Sequence, residues 1–106
     1  PLTDNLENTT EIAPDWYDSS WFGTFFQNES GWAYHLEFGG IYPVTEDNKN
    51  IWFWHIHLGW VWAAQESFPD QYLWSQNSQN WLLWESPTPS TTRFYDYSIS
   101  DWLSFP

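Results

Sequence analysis

Apolar residues come in short runs along this chain, each closed by a glycine or a cluster of polar residues, and the runs are mostly aromatic. The densest runs from Ile51 to Trp62, Ile-Trp-Phe-Trp-His-Ile-His-Leu-Gly-Trp-Val-Trp, and holds Trp52, Trp54, Trp60 and Trp62. Its layout occurs again 20 positions earlier: Trp32 to Tyr42 lies over Trp52 to Trp62 without a gap. The shared pattern is Trp-x-aromatic-His-aliphatic-x-apolar-Gly-x-aliphatic-aromatic. A fixed short period marks one supersecondary unit stacked on copies of itself.

Each unit reads as two short strands and a tight connection. Trp32 to Tyr34 supplies a strand, His35 to Gly39 the turn, and Gly40 to Val44 the return strand. Gly39 and Gly59 end their turns where a bulged hairpin needs positive φ, which is cheap only without a Cβ. Trp16 to Gln27, around Gly23, reads as a degenerate first copy, delivered to Trp32 by the turn Asn28-Glu29-Ser30-Gly31. Tyr72-Leu73-Trp74 continues the 20-residue step, placing Tyr34, Trp54 and Trp74 in equivalent positions. A polar turn, Ser75 to Asn80, and a return strand, Trp81 to Trp84, follow. Thr45 to Asn50 and Ala63 to Gln71 are expected as polar loops, and Ser86 to Thr92 as a stiff connector. Phe94 to Tyr97, a turn near Ser98 to Asp101, and Trp102-Leu103 make a closing hairpin, with Phe94 again on the 20-residue step.

No stretch carries a helical period, so the fold class is all-β: tandem antiparallel hairpins of about 20 residues forming a meander or a short hairpin stack. Residues 1–15 hold Asp4, Glu7, Glu11 and Asp15 among Asn, Thr and Pro, with Leu2, Leu6 and Ile12 as apolar anchors. That composition predicts an extended acidic arm or linker, able to add to a sheet edge, ahead of a hairpin domain over 16–106.

Composition sharpens the picture at two points. Aromatic residues make up 24% of the chain, and each buried ring removes roughly 150–250 Å² from water. A domain of this length keeps on the order of 6,000 Å² exposed, so some rings must reach the surface. Fourteen acidic residues face only Lys49 and Arg93, for a net charge of -12. Nucleic acid and anionic membrane surfaces are poor partners for such a chain, since phosphate contacts need Lys and Arg. Strong acidity suits solubility, a salty exterior or divalent cations, so Ca²⁺ is a possible ligand. There is no cysteine and hence no disulfide or thiol chemistry. No apolar run is long enough to cross a membrane as a helix, so no membrane insertion is expected. The chain begins at Pro1 and has no methionine; we expect a processed product or a piece of a longer chain, secreted after loss of a signal peptide. Asn8-Thr9-Thr10 and Asn28-Glu29-Ser30 fit the glycosylation sequon.

The segment from Trp16 to Trp102 contains Gly-Trp-Ala-Tyr-His-Leu-Glu-Phe-Gly, Ile-Trp-Phe-Trp, Leu-Gly-Trp-Val-Trp and a final Arg-Phe-Tyr-Asp-Tyr. It resembles the tryptophan-rich repeats that close large secreted proteins of marine bacteria, which implies an appended extracellular module. Trp52-Phe53-Trp54, with Gly59 five residues on, is also similar in spacing to the hairpins of choline- and glucan-binding cell-wall repeats. The third unit lacks the glycine and the loops differ, so no ligand residue is carried over from them.

Candidate chemistry is sparse. His55 and His57, with His35 equivalent to His55, are candidates to converge on a metal site. The alternative is that repeat-equivalent histidines at the start of a turn bond backbone groups. Acidic residues cluster in loops, which argues against a rigidly held glycosidase pair; no Gly-x-Ser-x-Gly elbow, phosphate loop or His-Glu-x-x-His helix occurs. We therefore expect no enzyme and no catalytic residue. Aromatic rings with nearby Asn, Gln and Asp make platforms for sugars, with Phe53, Trp60, Trp62, Trp81 and Trp84 as candidates for contact outside the chain, and His57 beside them.

Strands such as Trp52-Phe53-Trp54 and Trp81-Leu82-Leu83-Trp84 are apolar on both faces, and strand lysines that would guard open edges are missing. From this we expect a non-enzymatic extracellular structural module that self-assembles into a filament or surface layer, or anchors at the cell surface. The alternatives are a module recognising cell-wall or extracellular polysaccharide, and an acidic Ca²⁺-dependent adhesin.

Overall fold

A computed structural model of the protein describes residues 2–6, 8–47, 49–88 and 91–105. One helical turn, α1 (Leu2–Asn5), precedes eleven strands: β1 (Thr9–Ala13), β2 (Trp16–Ser19), β3 (Gly23–Gln27), β4 (Ala33–His35), β5 (Gly39–Asp47), β6 (Asn50–His55), β7 (Gly59–Ala64), β8 (Tyr72–Ser75), β9 (Asn80–Thr88), β10 (Thr91–Asp96) and β11 (Asp101–Trp102). They form one sheet in strict sequence order, every neighbour antiparallel, so the fold is the all-β meander that the hairpin pattern predicts. β1 and β11 are its two edges.

The sheet is coiled upon itself. Eleven strands laid flat would span roughly 48 Å at about 4.8 Å per step, yet the longest dimension of the molecule is 39 Å. Phe38, in the turn between β4 and β5, lies 5.1 Å from Trp84 of β9 and 6.3 Å from Phe94 of β10, ring centre to ring centre. Residues far apart in the sheet order meet because twist accumulates over many strands. One face thus becomes the interior.

Strand alternation decides what enters that interior. Phe25, Ile41, Ile51, Phe53, Val61, Leu73, Leu82 and Phe94 are buried, and the intervening Trp and Tyr residues lie on the other face. In the sheet, the step from β8 to β10 is one residue longer than the 20-residue steps from β4 to β6 and from β6 to β8. Phe94 therefore points inward, and Tyr95 takes the outward place that Tyr34, Trp54 and Trp74 hold.

Two segments close the interior. In the loop that follows β7, a 3₁₀ turn (Phe68–Asp70) drops Phe68 onto Trp21, Phe22, Phe38 and Trp84, with centroid separations between 5.3 and 6.0 Å. The loop expected to be polar carries a central core residue. At the N-terminus Leu2 and Leu6 are buried, α1 packs on β5, and the Leu2 N–H donates to Gln27 Oε1 at 2.9 Å. A four-residue helix has little stability of its own, so this packing holds it.

The hairpins are tighter than the loops expected at Thr45 to Asn50 and Ser86 to Thr92. β5 and β6 pair as far as Asp47 and Asn50, and β9 and β10 as far as Thr88 and Thr91. Position 48 of the first and positions 89 and 90 of the second lie outside the described residues. Pro87 is tolerated because the register shifts by one residue between Thr91 and Arg93, and a bulge leaves a residue that need not donate to the ladder.

Truncating the plug should unravel this arrangement. We expect Phe68→Ala to cost about 3–5 kcal/mol in urea unfolding, whereas Ile56→Ala, at a side chain 75% exposed on a turn, stays within about 0.5 kcal/mol of the parent.

Candidate functional site

Five turns line one rim of the sheet, at the ends of its strands, and each is built the same way. The last residue of the strand entering the turn is a buried polar side chain: Ser19, His35, His55, Ser75 and Asp96. Four positions later stands a residue with positive φ: Gly23 (92°), Gly39 (74°), Gly59 (73°), Gln79 (51°) and Ser100 (53°). The buried group accepts N–H bonds from the turn it precedes. Ser19 Oγ accepts from Phe22 at 3.1 Å, His35 Nδ1 from Glu37 at 3.1 Å, His55 Nδ1 from His57 at 3.2 Å, Ser75 Oγ from Ser78 at 3.1 Å and Asp96 Oδ1 from Ser98 at 2.8 Å. Such side chains serve turns because they replace backbone partners that the sheet ladder does not supply.

Each turn is also tied to the one before. His35 Nε2 donates to the Phe22 carbonyl at 2.6 Å, and His55 Nε2 to the Phe38 carbonyl at 3.1 Å. Asn77 Nδ2 donates to the Leu58 carbonyl at 3.1 Å, and the Ser78 hydroxyl to Asp96 Oδ2. A Cβ at Gly59 would stand 2.6 Å from Asn77 Nδ2, so a larger residue there would displace Asn77 from its bond to the Leu58 carbonyl. With Nδ1 accepting and Nε2 against a carbonyl, both histidines are neutral with the proton on Nε2. They are turn residues bonding backbone groups, as their repeat positions suggested. His57 instead lies on the surface, its ring stacked on Phe105 at 4.7 Å. No group of three His, Cys, Asp or Glu among the described residues could hold a metal ion.

The opposite face is the candidate for binding. The cross-strand register sets Tyr42, Trp54 and Trp60 in one row and Val44, Trp52, Trp62, Trp74 and Trp81 in another. Trp54 and Trp60 meet edge to face at 5.7 Å, Trp32 and Tyr42 at 5.3 Å. Trp81 is the hub of a longer band, touching Trp74 at 5.4 Å and both Trp62 and Tyr72 at 6.3 Å. The band runs on through Tyr97 and Tyr95 to Trp102, where the Arg93 guanidinium lies 4.2 Å over the indole while pairing with Glu85 at 2.7 Å. Edge-to-face pairs leave some ring faces open to solvent.

Of the five aromatic candidates, the structure brings Trp60, Trp62 and Trp81 to this face. Phe53 and Trp84 point the other way: Phe53 stacks on Phe38 at 5.5 Å, and Trp84 is 5% exposed with its Nε1–H unpaired in the core. A groove of about 610 Å³ opens on the outer face beside Trp81, lined by Glu66, Ser67, Asp70, Tyr72, Asn80 and Tyr97. Glu66, Asp70, Tyr72 and Tyr97 were not singled out from the sequence. For the tyrosines the available signal was their phase, since Tyr72 and Trp74 alternate onto one face. Glu66 and Asp70 reach the groove from the Phe68 loop, whose shape carries no such signal. No protein-family model, curated protein or solved structure matches the chain.

The turn row has a pH consequence. Burial lowers the His35 pKa to about 4, against the opposing bond to the Phe22 carbonyl. Burial, with a smaller effect of the neighbouring His57, also lowers that of His55. Burial pushes Asp96 up, but bonds from Ser78 and Ser98 outweigh it and hold its carboxyl below the ordinary range. Between pH 6.5 and about 4 the unfolded chain binds a proton on His35 that the folded chain refuses, so stability is lost as pH falls through that window. That depression corresponds to about 3 kcal/mol. Urea unfolding of His35→Gln against the parent checks this. The variant is expected to be the less stable at pH 7.5, with the gap closing towards pH 4; a gap constant with pH would contradict it.

Proposed function

We propose that the protein is a non-enzymatic binding module whose outer aromatic face holds a polysaccharide at the cell surface or in the extracellular matrix. The observation that carries this reading is the continuous band from Trp62 through Trp81 to Tyr97, bordered by the groove that Glu66, Ser67, Asp70 and Asn80 line. A pyranose presents an apolar face that packs on such rings, and its hydroxyls find acceptors at the rim. The coiled sheet covers its inner face with its own rings, so only the outer face asks for a partner. A net charge of -12 favours an uncharged or cationic ligand over a second copy of the chain at low ionic strength.

A titration of intrinsic tryptophan fluorescence with a panel of oligosaccharides tests the reading. We expect saturable binding by at least one of them, weakened about tenfold, roughly 1.4 kcal/mol, by Trp81→Ala. Affinities that do not change in Trp81→Ala and Trp60→Ala would overturn it.

Self-association is the second reading, favoured by the two open edges, β1 and β11, which carry neither Lys nor Arg. Copies would add edge to edge or stack outer face to outer face, into a filament or a surface layer. Their repulsion is screened as the Debye length falls from about 30 Å at 0.01 M salt to about 3 Å at 1 M. Sedimentation velocity should then show multimers at high salt that dissolve on dilution of the salt; a monomer at both extremes contradicts this second reading.

A further inference from the structure

On the outer face one cation sits in a box made by a ring and a carboxylate, and a groove beside Trp81 is lined by rings and carboxylates. In the box the Arg93 guanidinium sits 4.2 Å over the Trp102 ring and donates to Glu85 Oε2 from Nη2 at 2.7 Å and from Nε at 3.1 Å. A ring face supplies quadrupole attraction and a carboxylate the countercharge. The groove beside Trp81 repeats these parts, with Tyr72, Trp81 and Tyr97 as rings and Glu66 and Asp70 as carboxylates. Neither of these carboxylates forms an ion pair among the described residues. The chain has only two cations, Lys49 and Arg93. Arg93 is taken by Glu85, and Lys49 belongs to the β5–β6 hairpin, where its backbone N–H donates to Asp47 Oδ1.

We propose that this groove binds the protonated amine of an amino sugar, so that the polysaccharide held by the outer face is a polymer of 2-amino-2-deoxyhexose units carrying free amines. The inference rests on the polysaccharide reading above and adds the ligand's charge. Three features select a sugar amine over a basic peptide. The aromatic band continues beyond the groove through Trp74 and Trp62, giving successive platforms for flat rings. Ser67 and Asn80 border the same groove and can bond ring hydroxyls. The groove volume of about 610 Å³ also exceeds what one ammonium group needs.

The test is isothermal titration of the whole chain with a glucosamine hexamer, its fully N-acetylated counterpart and a cellulose-derived hexamer. We expect the glucosamine hexamer to bind at least tenfold more tightly than either neutral one. Glu66→Gln with Asp70→Asn should remove most of that preference, the glucosamine hexamer losing more affinity than either neutral hexamer. In the unmodified protein, the preference should also fade as the pH is raised past the pKa of the sugar amine, a readout that needs no variant. Equal affinities for the free-amine and acetylated hexamers, or a preference that survives both the double substitution and the loss of the amine's charge, would overturn the amino-sugar inference while the polysaccharide reading stands. Binding of no hexamer would overturn the amino-sugar inference. Binding of an oligolysine peptide alone, sensitive to the same double substitution, would assign the groove to a basic peptide and overturn the inference.

Discussion

Everything in this fold hangs on the buried polar residue that closes each strand before a turn. A tight turn at the rim of a coiled sheet exposes backbone N–H groups to the interior, where an unpaired donor costs about 1–3 kcal/mol. Ser19, His35, His55, Ser75 and Asp96 meet that demand from within. The two histidines do more, because an imidazole accepts at one nitrogen and donates at the other. Each ties its own turn to the preceding one, and Asn77 and Ser78 continue the relay in the later hairpins. Once these caps point inward, alternation settles the rest. Two residues before the cap lie Ala33, Phe53, Leu73 and Phe94, all buried; one residue before it lie Tyr34, Trp54, Trp74 and Tyr95 on the outer face.

This parity explains which parts of the structure were legible in the sequence. The hairpin meander was, because Gly39 and Gly59 mark the turns and the aromatic runs mark the strands. The last two turns hid their left-handed residues as Gln79 and Ser100, neither of which announces positive φ. Asp96 falls 21 residues after Ser75, so a constant step of 20 placed Phe94 in an outward position. Phe68 was invisible for a different reason: a lone apolar residue between Ser67 and Pro69 has no period, and only the three-dimensional opening that it fills gives it a role. The candidate contacts divided along the same line. Trp60, Trp62 and Trp81 share the outward phase, and Phe53 and Trp84 the inward one; counting back from His55 separates Phe53 from Trp54, a rule that needs the cap to be recognised first.

The segregation also gives the aromatic content a physical meaning. Most phenyl rings, with no polar atom, fill the interior, whereas most indoles and phenols, with an N–H or O–H to satisfy, suit the half-wet outer face; Phe26 lies outward against Trp16, and Tyr17 and Trp21 pack on the core. Trp84, the tryptophan that enters the core, has the one unpaired buried side-chain polar atom among the described residues. The outer face is thus a broad aromatic surface on a strongly acidic body. Its own use of Arg93 over Trp102 shows the chemistry it can offer to a ligand, and the proposed roles in polysaccharide and amine binding follow from that surface rather than from a buried pocket.

Solvent exchange of the indole N–H protons, followed residue by residue by NMR after transfer to D₂O, tests the inward and outward division most directly. Inward and outward placement requires slow exchange at Trp84, 5% exposed, and fast exchange at Trp32, Trp54, Trp60 and Trp102, each between 36% and 48% exposed. Fast exchange at Trp84, or protection of Trp54 and Trp60 equal to that of Trp84 in the dilute protein, would contradict it.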